Sequence, residues 1–108
     1  MELTIKDLKE LFCNQNGSQK TGYEKCLGKD IFIRTVTHHY TGHVIEVTHM
    51  TMTLEKAAWI SDDGRFYDSM KDSSNFEEVE PYVKPVIINL YSILDCTEIQ
   101  GKLPEKQK

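Results

Sequence analysis

At 108 residues, 39% of them hydrophobic and 28% charged, the chain has room for one compact domain and enough apolar side chains to offset the ordering entropy that keeps more polar sequences unfolded. Thirteen basic against seventeen acidic residues give a net charge of −4, and the longest aliphatic run, Val86, Ile87 and Ile88, is far short of the roughly 20 residues of a membrane span. The opening MELTIKDLKELF interleaves acids with aliphatics and lacks the basic and then apolar blocks of a secretory signal, so a cytoplasmic protein without a membrane partner is expected.

In chain order, Thr4 and Asp7 stand at capping-box spacing and Leu3 and Leu8 at hydrophobic-staple spacing, which predicts a helix from near Ile5. Ile5, Leu8, Leu11 and Phe12 form one apolar stripe that dies at Asn14, and residues 14–22 read as a loop. From Ile31 to His38 the period changes to two. Ile31, Ile33, Thr35 and Thr37 share one parity and Phe32, Arg34, Val36 and His38 the other, a strand with one mostly apolar face. Tyr40-Thr41-Gly42 interrupts it and Val44 to Thr48 resumes β-type composition, which predicts a hairpin with His38, His39 and Tyr40 at its tip.

Met50, Met52 and Leu54 alternate with threonines into a third strand that continues or bends through Ala57-Ala58-Trp59-Ile60 to a tight turn at Asp62-Asp63-Gly64. Phe66 to Met70 fits one helical turn and Lys71 to Glu78 a polar loop. Pro81 and Pro85 bracket a segment that cannot be a central strand. Val86 to Tyr91 and Ser92 to Ile99 supply two further β segments. The fold class expected is mainly β, a helix followed by a small, strongly bent five-stranded barrel, closed or half-closed. It forms one domain over 1–108, with helix and loop over 1–28, barrel over 29–99 and a polar tail over 100–108. Leu3, Ile5, Phe12, Tyr82 and Tyr91 exceed what so small a barrel buries, which predicts a homo-oligomer, a dimer or tetramer.

Chemistry-bearing patterns are sparse. Of His38, His39, His43 and His49, the last two are too far apart along a strand to share an ion, and only His38 or His39 can meet His43 across the hairpin; two ligands do not close a site, so no metal site and no cofactor is expected. The three cysteines, Cys13, Cys26 and Cys96, contain no C-x-x-C pair and read as reduced, mostly buried thiols. No G-x-S-x-G elbow, P-loop or dinucleotide fingerprint is present, which points away from an enzyme. Between Asp30 and Ile99, Arg34, Lys56, Arg65, Lys71 and Lys84 face twelve acids, a net −7, which makes a nucleic-acid partner unlikely on electrostatic grounds. A local pocket for a small anion asks for less. Arg34 and Arg65 are the chain's only arginines, and Arg65 lies between Trp59 and Phe66-Tyr67, where π faces gather around one cation.

The stretch IRTVTHHYTGHVIEVTHMTMTLEKAAWISDDGRFYD, from Ile33 to Asp68 and about a third of the chain, resembles phage-encoded proteins of the anti-CBASS cyclic-nucleotide sponge group: an I-R-T strand, a tight Gly-containing tip, an aliphatic and acidic strand, then aromatic and arginine residues before a short helix. The resemblance implies a small Sm-like barrel that oligomerises and holds a cyclic nucleotide without chemistry, in the cytoplasm of an infected bacterial host. It places ligand contacts on Arg34, Thr35, Thr37, His38, His39, Tyr40, Trp59, Arg65 and Tyr67. The paired histidines and the Asp62-Asp63 turn do not match that group. An Sm-like RNA-binding ring and a virion neck or tail component are the alternative readings.

Overall fold

The computed structural model describes residues 21–108. The expected N-terminal helix and most of the 14–22 loop lie outside these residues. A 3-10 turn, Tyr23–Cys26, leads into β1 (Asp30–Thr35), β2 (His39–Val47) and β3 (Thr51–Asp62). Helix α1 (Phe66–Lys71) and a 3-10 turn at Ser73–Asn75 follow, then β4 (Glu78–Pro81), β5 (Val86–Asn89), a 3-10 turn at Leu90–Ser92 and β6 (Ile93–Glu98). The protein is mainly β. Its six strands form an antiparallel sheet in the order β4-β3-β2-β1-β6, with β5 also paired to β3.

On the edge away from β2, strand β3 serves two partners, Thr51 to Leu54 pairing with β5 and Ala58 to Asp62 with β4. Between these halves Lys56 takes a left-handed backbone conformation, φ 50°, and the register against β2 slips between Thr41 and His43. A bulge of this kind inserts one residue, increases the local twist and changes which face the following side chains take. Met52, Leu54 and Ala57 therefore enter one core cluster and Ala58 and Ile60 another, on the opposite side of the sheet. The alternation read through Met50, Met52 and Leu54 stops at that bulge.

Strand β1 is buried on both faces, not on one. Ile31 and Ile33 join Val44, Met52, Leu54, Ala57, Ile88 and Leu90, whereas Phe32 joins Ala58, Ile60, Phe76, Val79 and Ile99. The second face is covered because the segment expected to be a polar loop carries Phe76, whose ring stacks on Phe32 at a centroid distance of 5.3 Å. The expected polar tail is part of this cover. Leu103 packs against the cluster, Ser73 N donates to the Gln100 carbonyl at 2.8 Å, and Val79 and Lys108 exchange backbone hydrogen bonds of 2.9 and 3.0 Å.

The hairpin tip is also displaced from its expected place. Residues 36–38 turn the chain, locked by Thr35, whose hydroxyl donates to the His38 carbonyl at 2.7 Å and accepts from His38 N at 2.9 Å. Tyr40, Thr41 and Gly42 lie within β2. Gly42 is a packing glycine there, since a Cβ at this position would come within 2.8 Å of Leu54 Cβ.

Candidate functional site

Alternation in β2 and β3 puts Tyr40 and Trp59 opposite one another on the same side of the sheet, and Glu80 of β4 follows Trp59 in the same row. The turn before β2 brings His38 beside them. Its ring lies 5.6 Å from that of Trp59 and 6.1 Å from that of Tyr40, with the latter pair close to parallel. Beyond Pro81, Tyr82 completes the group, 6.2 Å from Tyr40. Burial, and after it the neighbouring Tyr82 hydroxyl, push the Tyr40 phenol above its ordinary value. Four aromatic rings thus form a continuous surface in which Trp59 is 38% and Tyr82 43% exposed. Exposed clustered rings contribute little to folding and offer flat apolar faces for stacking.

Two depressions of about 350 Å³ flank these rings. At the Tyr82 end, Lys56 and Lys84 line the first with Glu55 and Glu105, and neither lysine makes an ion pair among the described residues. At the Trp59 end, the second is lined by His38, His39, Asp62 and Asp63. Two lysines and two glutamates balance in formal charge at the first depression, whereas Asp62 and Asp63 leave the second acidic, so an anionic group meets less repulsion at the lysine end.

The other predicted contacts do not share this surface. Arg34 and His39 pair across β1 and β2 on the Phe32 side of the sheet. Arg34 donates two hydrogen bonds to the Asp95 carboxylate of β6 and lies 5.2 Å from the centre of the Phe66 ring. These bonds hold the Asp95 carboxyl below, and the guanidinium above, its ordinary value. His39 Nδ1 donates to Asp63 at 2.8 Å, because a carboxylate only accepts. Thr35 is buried and spent on the turn, and the exposed Thr37 hydroxyl is hydrogen-bonded to His38 Nδ1 at 2.7 Å. Arg65 immediately precedes α1, and Tyr67 is 69% exposed with Lys71 Nζ 4.6 Å from its ring centre.

No protein-family model, curated protein or solved structure matches this chain.

Of the residues marked in the sequence, the fold therefore unites His38, Tyr40 and Trp59, keeps Thr37 and His39 at the depression beside them, and sets Arg34, Arg65 and Tyr67 elsewhere. Sequence reasoning missed Tyr82 as a partner of Tyr40 and the two lysines beside it. The signal available was Pro81, which ends β4, and Tyr82 N just beyond it donates to the Ala57 carbonyl of β3 at 2.8 Å, which places its ring beside Tyr40 and not in surplus apolar surface. The remaining histidine pair is also local, His43 Nδ1 donating to Asp30 at 2.7 Å. Among the described residues no three metal-ligating side chains converge.

Proposed function

We propose that the protein is a non-catalytic nucleotide-binding protein that sequesters a cyclic nucleotide signal, its bases lying on His38, Tyr40, Trp59 and Tyr82 and its phosphates at Lys56 and Lys84. The observation that carries this reading is the half-exposed surface of four rings with two lysines at one end that make no ion pair among the described residues. Base stacking on aromatic side chains contributes about 1 to 3 kcal/mol per base. The phosphates belong at the Tyr82 end because Glu80 lies beside Trp59, and Asp62 and Asp63 line the far depression.

The same proposal includes a phage or prophage anti-defence role in the bacterial cytoplasm, an N-terminal helix, an Sm-like barrel and a homodimer or homotetramer. The bend of β3 at Lys56 and the short 3-10 connection from β5 to β6 support the half-closed barrel. Tyr82 and Tyr91, exposed on the described chain, support the oligomer.

Calorimetry with cyclic dinucleotides and trinucleotides, followed by heating the complex and identifying what is released, tests the reading. Retention of a nucleotide, its release intact, and a loss of affinity of about tenfold in Tyr82→Ala are expected. No retention, or release of a hydrolysed product, overturns it. Binding to single-stranded RNA that weakens steeply with salt would favour the RNA-ring reading in its place.

A further inference from the structure

Two thiols from distant parts of the chain meet beside the first core cluster. Cys26 ends the 3-10 turn Tyr23–Cys26, and Cys96 lies in β6 opposite Ile33. They are 70 positions apart in sequence, and their sulfur atoms are 3.8 Å apart. Both are partly buried against the cluster and both are free thiols.

Each is held in place by backbone bonding. Lys29 N donates to the Cys26 carbonyl at 2.9 Å, and the next residues are tied to β2 through Gly28 N to Val44 O and Val44 N to Lys29 O, at 2.9 and 3.0 Å. Cys96 is fixed by the β1–β6 ladder. A cysteine that serves only as a small apolar filler has no need of a second thiol at contact distance. Here side-chain rotation has only to bring the sulfurs from contact to the roughly 2.05 Å of a bond, with the backbones already anchored.

We propose that Cys26 and Cys96 are a redox-responsive pair that closes to a disulfide when a low-molecular-weight disulfide acts as oxidant, pinning the Tyr23–Cys26 turn to β6. In the first step the Cys26 thiolate attacks the oxidant, forming a mixed disulfide and expelling one small thiolate, which takes up a proton. In the second, Cys96 loses its proton to solvent, and its sulfur attacks Cys26 and expels the other small thiol. The protein loses two protons and two electrons, and the oxidant gains them as two thiols. Burial, and after it the adjacent Cys26, push the Cys96 thiol up to about 12, and forming the mixed disulfide on Cys26 removes the second of these causes before Cys96 has to ionise. Closing so long a loop restricts the unfolded chain far more than the folded one.

The experiment treats the whole protein with oxidised glutathione, alkylates the remaining thiols, and maps the peptides without reductant. A Cys26–Cys96 cross-link with a loss of about two mass units is expected. Cys13 remains alkylated, and Tm rises by about 10 °C, reversed by dithiothreitol. Cys96→Ser abolishes the link and the rise, and Cys13→Ser leaves both. A glutathione adduct that persists on Cys26, a link through Cys13, or a link that leaves Tm unchanged or lower overturns the proposal. The peptide map of the unmutated protein decides the matter even if a serine variant does not fold.

Discussion

Trp59 stands directly opposite Tyr40 across the β2–β3 ladder, yet it belongs to neither core cluster. A tryptophan packed in the interior costs about 3 to 5 kcal/mol when truncated to alanine. With 38% of its surface open, Trp59 gives up much less contact. Trp59→Ala is expected to cost about 1 to 2 kcal/mol in urea unfolding, below the core range, while nucleotide affinity falls about tenfold by calorimetry. A loss of stability in the core range with unchanged affinity would assign the ring to packing and remove it from the site.

Arg34 is a structural cation. Arg34 joins β1 to β6 through Asp95, on the side of the sheet away from the four rings, so Arg34→Ala should lower Tm and leave nucleotide affinity unchanged. The pH dependence follows from the same contact. The Asp95 carboxyl is lowered from 3.8 in the folded protein, so the unfolded chain takes up its proton first as acid is added. Its stabilisation is complete above that ordinary value and is lost as pH falls through the lowered one. The Tm difference between the protein and Asp95→Asn should therefore hold steady from about pH 7 to about pH 5 and close below about pH 4. A difference that widens on acidification would contradict the ion pair.

How much of this was legible in the sequence depended on whether a residue's environment was set locally. The strands at Ile31, Val44 and Met52, the helical turn at Phe66 and the turn at Asp62-Asp63-Gly64 were readable, because period and turn chemistry act over a few residues; Gly64 N bonding to the Asp62 carboxylate at 2.8 Å is an example. The bulge at Lys56 was not, since lysine carries no mark of a left-handed backbone. Nor was the second core face, which exists because Phe76, Ile99 and Leu103 return to cover Phe32 from far along the chain. In the site, adjacency misled twice. His38 and His39 are neighbours in sequence but lie in different groups, and Arg65 follows Trp59 closely yet sits beyond a turn, while the partner Tyr82 comes from another strand's end.

Gly42 had the look of a turn residue and is instead where β2 approaches Leu54. A methyl group there would sit 2.8 Å from Leu54 Cβ and 3.0 Å from its Cδ1, and Leu54 is fully buried. Gly42→Ala is therefore expected to cost about 1 to 3 kcal/mol through overpacking, although alanine is the better residue for an ordinary backbone. Leu54→Ala alone should cost about 2 to 5 kcal/mol by leaving a cavity. Because Leu54→Ala removes the Cδ1 and Cγ contacts at 3.0 and 3.3 Å but keeps the Cβ contact at 2.8 Å, the double variant should lose somewhat less than the sum of the two in urea unfolding. Strict additivity would place the whole of the overpacking on the Leu54 Cβ.

Thr41 lies one residue before Gly42, on the other side of the strand, opposite Phe32 in β1 and Ala58 in β3. It is completely buried, and its hydroxyl has no hydrogen-bond partner among the described residues. A buried hydroxyl without a partner forfeits its hydration at a cost of about 1 to 3 kcal/mol. Valine has nearly the same shape, favours strands and brings no polar atom. Thr41→Val is therefore expected to raise stability by about 1 kcal/mol, shifting Tm upward by roughly 4 °C. Thr41→Ser supplies the contrast, keeping the hydroxyl and deleting the methyl that packs in the Phe32 cluster, and should destabilise. If Thr41→Val instead loses stability while Thr41→Ser retains it, the hydroxyl is satisfied by an ordered water, and the Phe32 cluster contains a polar site rather than a dry contact.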